Sequence, residues 1–404
     1  MGRRPFDGLR VIEYGNLISA PYCGKLLAGL GAEVVKIERN GSGDEARNHG
    51  PFPNDSPDPE QSGLFLFLNA NKLGITLNVG TPSGKEIFRK LSDEADVLIE
   101  NNPTGTMKEL GLGYGSLVKS NPKLIMVSIT PFGQTGPYAT YKAHHINTCA
   151  SGGEAVGIGR PDREPLTMPY SQGGYQAGVA AATAVLAALI ARGKTGKGQH
   201  IDISEAEVWA TMHVGAAILT FLYRGVTGMR RGIHGGYFRY PCTVFPCKDG
   251  YVSANTPQLA QWVRFLELIG NPKWAESPRY RDRRAMEEKY PDEVDALLQP
   301  WFKEHTKEEI LKLCQNRRIP ITPVYDVGEM VNHPQLKEMK FFVELEHSRA
   351  GKLMYPKGPC TFHKTDWEWI GAAPLLGEHN EQVLCQRLGY SKEELAKMRE
   401  SGVI

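Results

Sequence analysis

Short apolar runs alternate with amphipathic stretches through the first half of the chain. Leu9-Arg-Val-Ile-Glu-Tyr14 and Ala32-Glu-Val-Val-Lys-Ile-Glu38 are rich in β-branched residues and read as strands, with a helix between them over residues 20–30. Further strands are expected over residues 74–79, 96–100, 124–130 and 200–204. Thr81-Pro82 opens a helix whose Ile87, Phe88 and Leu91 share one face; proline suits the first helical position, where its missing N–H has no partner to lose. Apolar strands separated by helices predict an α/β fold with a mostly parallel sheet covered on both faces. The Ala-rich stretch over residues 178–190 predicts a tightly packed interior helix, and no apolar run reaches the roughly 18 residues of a membrane span.

The pattern lapses over residues 226–237, which hold four glycines and the pair Arg230-Arg231. Beyond it, residues 242–247 and 251–255 flank Lys248-Asp249-Gly250, the signature of a hairpin. Thr306-Lys-Glu-Glu309 and Ser391-Lys-Glu-Glu394 are capping boxes ahead of apolar helical faces. Residues 226–329 are therefore expected to form a linker and a small α+β domain, with 1–225 and 330–404 forming the large one.

A length of 404 residues allows two or three domains at roughly 150 each. Lys plus Arg number 47 against 45 Asp plus Glu, a net +2, which gives no overall field for nucleic acid or an acidic membrane. Arg3 and Arg4 are followed by Pro5, Phe6 and Asp7 with no apolar core, so no export signal is expected. Seven scattered cysteines read as reduced thiols of a cytoplasmic protein. Cys242 and Cys247 lack a second pair or a nearby histidine, and no metal is expected in the chain.

The first strand–helix turn, Gly15-Asn-Leu-Ile-Ser-Ala-Pro21, is not a glycine-rich dinucleotide loop. Arg39, Lys72 and Lys142 follow strand ends or lie in connections. Singly each is an ordinary solvated charge; together on one sheet edge they would hold phosphates. His144-His145 is the only histidine pair, either a partly buried loop pair or a proton carrier. Ser171-Gln-Gly-Gly174 leads into the Ala-rich helix, where it either aims backbone donors at a ligand or simply packs closely.

An ordered set of motifs then resembles the family III CoA-transferases, which also include acyl-CoA racemases. It comprises Leu9-Arg-Val-Ile-Glu, Leu30-Gly-Ala-Glu-Val-Val-Lys-Ile-Glu-Arg39, Gly43-Asp44 with Arg47, and Leu68-Asn-Ala-Asn-Lys72. It continues with Ala95-Asp-Val-Leu-Ile-Glu-Asn101, Thr195-Gly-Lys-Gly-Gln-His-Ile-Asp202, Ile319-Pro320 before Pro323-Val324, His333-Pro-Gln335 and Ala373-Pro-Leu-Leu-Gly-Glu-His379. The resemblance implies a Rossmann-like large domain built from both chain ends, a smaller middle domain, and ring-shaped subunits interlocked in a dimer. It implies coenzyme A as a substrate, with no covalently bound cofactor, and Arg39, Lys72, Asn101 and Lys142 as CoA contacts. Three positions depart from the family pattern: Ile18 stands for a usual Gln, Leu73 for a common Arg and Glu109 for an Arg.

The nucleophile departs too. The family carries an Asp four residues before the Gly of the Ala-rich helix; counting back from Gly178 gives Gly174. That carboxylate attacks an acyl-CoA thioester to give a mixed anhydride, then carries CoA as an enzyme thioester. Glycine cannot do either. The resemblance therefore points to a subunit without the catalytic Asp, partnered by a paralogous subunit that has it, moving CoA from succinyl-CoA to an aromatic succinate. The alternative is a racemase or epimerase using His144, which matches the racemase histidine in Ala143-His-His-Ile-Asn147. Tyr170, Tyr175, Tyr223, Tyr237 and Phe238 are either an aromatic-acid pocket or core and interface residues.

Overall fold

The computed structural model describes residues 4–212, 214–228, 230–234, 239–358, 360–365 and 367–404. By contacts the chain divides into two compact units, one of residues 1–154, 167–219 and 338–404, the other of 155–166 and 220–337.

In the first unit β1 (Arg10–Tyr14), helix α1 (Ser19–Gly29), β2 (Glu33–Glu38) and β3 (Lys72–Thr76) come first. Helix α2 (Pro82–Asp93), β4 (Val97–Glu100) and β5 (Ile125–Thr130) follow. Next are α3 (His145–Ser151), α4 (Gln172–Thr195), β6 (His200–Ser204) and α5 (Glu205–Met212). The six strands pair in parallel in the order β3-β2-β1-β4-β5-β6, the Rossmann order, with its switch point between β1 and β4. Consecutive residues feed opposite faces. Ile12, Val35, Leu98 and Met126 enter one core with α2, while Val11, Val34, Val97 and Ile125 enter another with α1 and α4.

Helix α4 is longer than the apolar run that announced it. Its small residues Ala177, Gly178, Ala181, Ala182, Val185 and Ala188 are buried. Its other side is not interior: Val179, Leu186 and Ile190 are exposed, Ile190 by 67%. The helix has the length and apolar composition of a membrane span, but its inner face belongs to the sheet core.

The second unit holds the hairpin of β7 (Cys242–Cys247) and β8 (Gly250–Asn255), to which β9 (Ile321–Pro323) adds antiparallel. Around it pack α6 (Leu259–Leu268), α7 (Pro291–Glu304) and α8 (Lys307–Gln315), with Phe245, Phe265 and Phe302 stacked at the centre. The chain then re-enters the first unit as the hairpin β10 (Phe342–His347) and β11 (Gly351–Pro356), and ends in α9 (Lys392–Glu400). There His379 Nδ1 accepts from Gly74 N–H at 3.1 Å and Asn380 bonds Thr76 on β3, so the C-terminal segment is fastened to the sheet edge.

Candidate active site

Parallel strands place all their carboxyl ends along one edge, and the switch point opens a crevice there. Tyr14, Gly15, Asn16, Ile37, Arg39 and Asn102 line a small cleft at this place. Asn101 fixes one wall: its Oδ1 accepts from Asn16 N–H at 2.8 Å, and its Nδ2 donates to Asn16 O at 2.8 Å and to Ser19 Oγ at 3.0 Å. Asn102 Nδ2 donates to Tyr14 O at 3.1 Å. Arg39 is exposed beside them. Burial raises the pKa of the Tyr14 phenol, while the Arg39 charge opposes the rise.

Beneath that edge lies a buried array of charge. Lys36 Nζ meets Glu13 Oε1 at 2.9 Å, Asp44 Oδ2 at 2.6 Å and Gly15 O at 3.1 Å. Lys72 Nζ meets Glu13 Oε2 at 2.6 Å, and Pro21 O and Asn69 Oδ1 at 2.8 Å each. Arg47 forks onto Glu38 at 2.7 and 2.9 Å and lies over the Phe65 ring. Burial pulls Lys72 down to about 8 against the pull of Glu13. Burial also works against Lys36, but Asp44 and Glu13 outweigh it and hold its ammonium above the usual range. Asp44 Oδ1 in turn accepts from Leu17 N–H at 2.9 Å, in the turn that ends at α1.

The expected contact residues thus stand in different settings. Arg39 lines the crevice, and Asn101 holds its wall from behind through Asn16. Lys72 is fully enclosed, with its donors spent on Glu13, Asn69 and a carbonyl. Lys142 is exposed in the connection between β5 and α3. Leu73 lines a separate cavity of about 190 Å³ with Glu33 and Arg387, and Glu109 is exposed after β4.

Gly174, the position at which the family resemblance implies an Asp, lies at the entrance to α4. Gly174 is buried, in right-handed helix, and a Cβ built on it would lie 3.1 Å from both Cβ and Cγ2 of Ile18. Ile18 fills the space into which a longer residue 174 would project. Gly178 is different, because a Cβ there would come within 2.8 Å of the Ser19 carbonyl oxygen, so α1 and α4 need glycine at that crossing. His145 is fastened: its Nδ1 accepts from Gly173 N–H at 3.1 Å, leaving Nε2–H to donate to Met168 O at 2.6 Å. His144 is exposed at the start of α3, its backbone N–H donating to Asn147 Oδ1 at 3.0 Å.

Sequence reasoning passed over Glu205. At the start of α5 it accepts from Thr148 Oγ1 at 3.3 Å, and burial raises its pKa. Its signal was masked by the neighbouring strand motif. Of the aromatic set, Tyr175 is half-buried edge-on against Tyr22 at 5.0 Å, whereas Tyr170 and Tyr223 are over 80% exposed, at 84% and 83%. Tyr237 and Phe238 lie outside the described residues.

Comparison with known proteins agrees with this geometry. The family description CoA-transferase family III matches residues 6–380. The chain is 31% identical to the succinyl-CoA–D-citramalate CoA-transferase of Chloroflexus aurantiacus, over 99% of this chain and 98% of that protein. It is 32% identical to the formyl-CoA:oxalate CoA-transferase of Escherichia coli, over 99% of each. The crystal structure of a CAIB/BAIF family protein from Brucella suis superposes with a TM-score of 0.86 at 28% identity, covering 95% of this chain and 99% of that one.

Proposed function

The chain belongs to CoA-transferase family III, and on that premise we propose that it is the subunit of a two-subunit CoA-transferase that lacks the nucleophile. Its paralogous partner carries the catalytic Asp, and the two rings interlock. CoA passes from succinyl-CoA to an aromatic succinate, of which benzylsuccinate is our choice. The donor is suggested by the citramalate relative, and the acceptor by the Tyr22–Tyr175 pair beside Gly174.

One observation carries the reading. At position 174 there is no side chain, and the space in front of it is taken by Cβ and Cγ2 of Ile18. On the partner, the Asp carboxylate adds to the succinyl thioester, the C–S bond breaks and CoA thiolate leaves. The thiolate then takes the Asp carbonyl and releases succinate, and the acceptor carboxylate repeats the exchange in reverse. In this chain Arg39 and Lys142 are the exposed charges open to CoA, while Asn101 shapes the crevice wall through Asn16 and Lys72 supports it from below. An uncovered apolar side of α4 supports a partner on that face.

The test is mass spectrometry of each subunit after the co-purified complex meets succinyl-CoA. The adduct is expected on the partner alone. An adduct on this chain, with the partner's Asp replaced by Ala, refutes the reading. Comparing benzylsuccinate, citramalate and oxalate as acceptors tests the substrate separately.

A further inference from the structure

In the second unit the imidazole of His234 sits against two carboxylates of α7. Nε2 stands 3.4 Å from Asp295 Oδ2 and 3.7 Å from Asp292 Oδ1, and the three ligand atoms all lie within 4.8 Å of one another. The His234 side chain is only 10% exposed, yet neither ring nitrogen has a hydrogen-bond partner. A buried polar group in that state is unfavourable unless something else meets it.

The separations say what that is. They are too long for N–H···O hydrogen bonds, which centre near 2.9 Å. They lie close to the edges of a coordination polyhedron, since ligands held about 2.0–2.2 Å from a tetrahedral ion lie about 3.3–3.6 Å apart; the Asp295 separation falls within that range and the Asp292 separation just beyond it. Asp292 and Asp295 are three residues apart on one helix, so their carboxylates project from the same face. The Tyr240 hydroxyl donates to Asp295 Oδ1 at 2.5 Å, which orients the carboxylate and leaves Oδ2 toward the imidazole, as an outer-shell partner does for a ligand. Close by, Glu287 is 5% exposed and neither of its oxygens has a hydrogen-bond partner. Of the nearby cations, Arg283 is spent on Tyr240 O and Thr256, Arg160 pairs with Asp162, and the Arg231 charge acts on Glu287.

The geometry points to a divalent-cation site formed by His234, Asp292 and Asp295, taking an ion of the zinc or manganese class through one imidazole nitrogen and two carboxylate oxygens. Water completes the shell. This mixed N/O set suits such borderline ions better than magnesium or calcium, which favour all-oxygen sites. The site is separate from CoA transfer and works structurally, pinning residue 234 to α7 within the second unit. No spacing motif announced it, because the histidine lies far along the chain from the two helical carboxylates.

The full chain, stripped with a chelator, is titrated with Zn²⁺ alone by calorimetry, and with Co²⁺ by visible absorption. One equivalent is expected to bind and to raise the thermal midpoint. His234→Ala and Asp292→Asn should each weaken binding about tenfold or more and abolish the midpoint shift. The Asp292 side chain is fully exposed, at 100%, so its variant keeps the test decisive if His234→Ala does not fold. No uptake by the unaltered chain means a plain histidine–aspartate ion pair and overturns the site. Equal uptake by Asp292→Asn puts the ion elsewhere and overturns it too.

Discussion

Real side chains seldom pack a Cβ as close as the 3.1 Å that separates the Gly174 position from Ile18, although the backbone at 174 is ordinary helix. Gly174→Asp should therefore lose about 1–3 kcal/mol from crowding, with no backbone strain added. Ile18→Ala in the same chain should recover most of that loss, so urea unfolding of the two single variants and the double one will show strong coupling. Additive losses would mean that the two side chains do not compete for one space. A second residue-scale case is Glu13, which sits between two ammoniums with no exposure. Glu13→Gln leaves Lys36 and Lys72 short of one charge and should cost about 3–5 kcal/mol in the same measurement. Lys25 tests the sign of burial. Its ammonium lies over Phe67 and Trp369, and burial, helped by the Lys72 charge, pulls it down to about 7. The unfolded chain keeps that proton to about pH 10.4 and so binds more protons than the folded one above pH 7. Stability should rise with pH across that window. Lys25→Met should stabilise most below pH 7 and flatten the rise, read from urea midpoints at pH 6 and 9; an unchanged slope would show that Lys25 stays charged.

At the scale of elements, α2 shows how much local chemistry decides. Thr81 Oγ1 accepts from Gly84 N–H at 3.0 Å and donates to Asn78 O at 2.9 Å, so Thr81→Ala should cost about 1 kcal/mol in thermal or urea unfolding. Such starts were legible because caps are written in neighbouring residues. The central strands were legible because burial on both faces demands continuous apolar runs. β3 was not placed as well: it was expected over 74–79 but pairs from Lys72 to Thr76, because its first residue is a lysine whose counter-charge lies on β1. A buried ion pair between distant strands leaves no periodicity. The same reason hid the setting of Lys72, whose motif was plain and whose enclosure was not. The loss at Gly174 could be read by counting along one helix, but the Ile18 contact depends on how α1 and α4 cross. Four of the motifs that carried the family resemblance, those within residues 9–72, supply the buried array, with Glu13, Lys36, Glu38, Asp44, Arg47 and Lys72 each inside one of them.

For the whole molecule, the open question is what covers α4. Val179, Leu186 and Ile190 present an apolar stripe at the spacing of successive helical turns. Co-expressed with its paralogue the chain should copurify in equal amounts, and Ile190→Glu should release it, seen as a fall in mass by light scattering with the circular dichroism unchanged. Intact complex after that substitution would place the partner on another surface. Obligate interfaces of this kind usually bury large apolar areas, so the chain alone should be poorly soluble or a weak homodimer. A well-behaved lone monomer would argue against the pairing.

On the proposed function, the contact between positions 18 and 174 also makes the loss of a nucleophile hard to reverse. Asp at 174 alone meets the methyls of Ile18, and a smaller residue at 18 alone opens a gap and restores no chemistry. Neither single step confers catalysis, and each lowers stability, so a lineage would have to cross a less fit sequence in either order. Two residues in van der Waals contact would then work as a ratchet, keeping the proposed subunit dependent on its proposed partner.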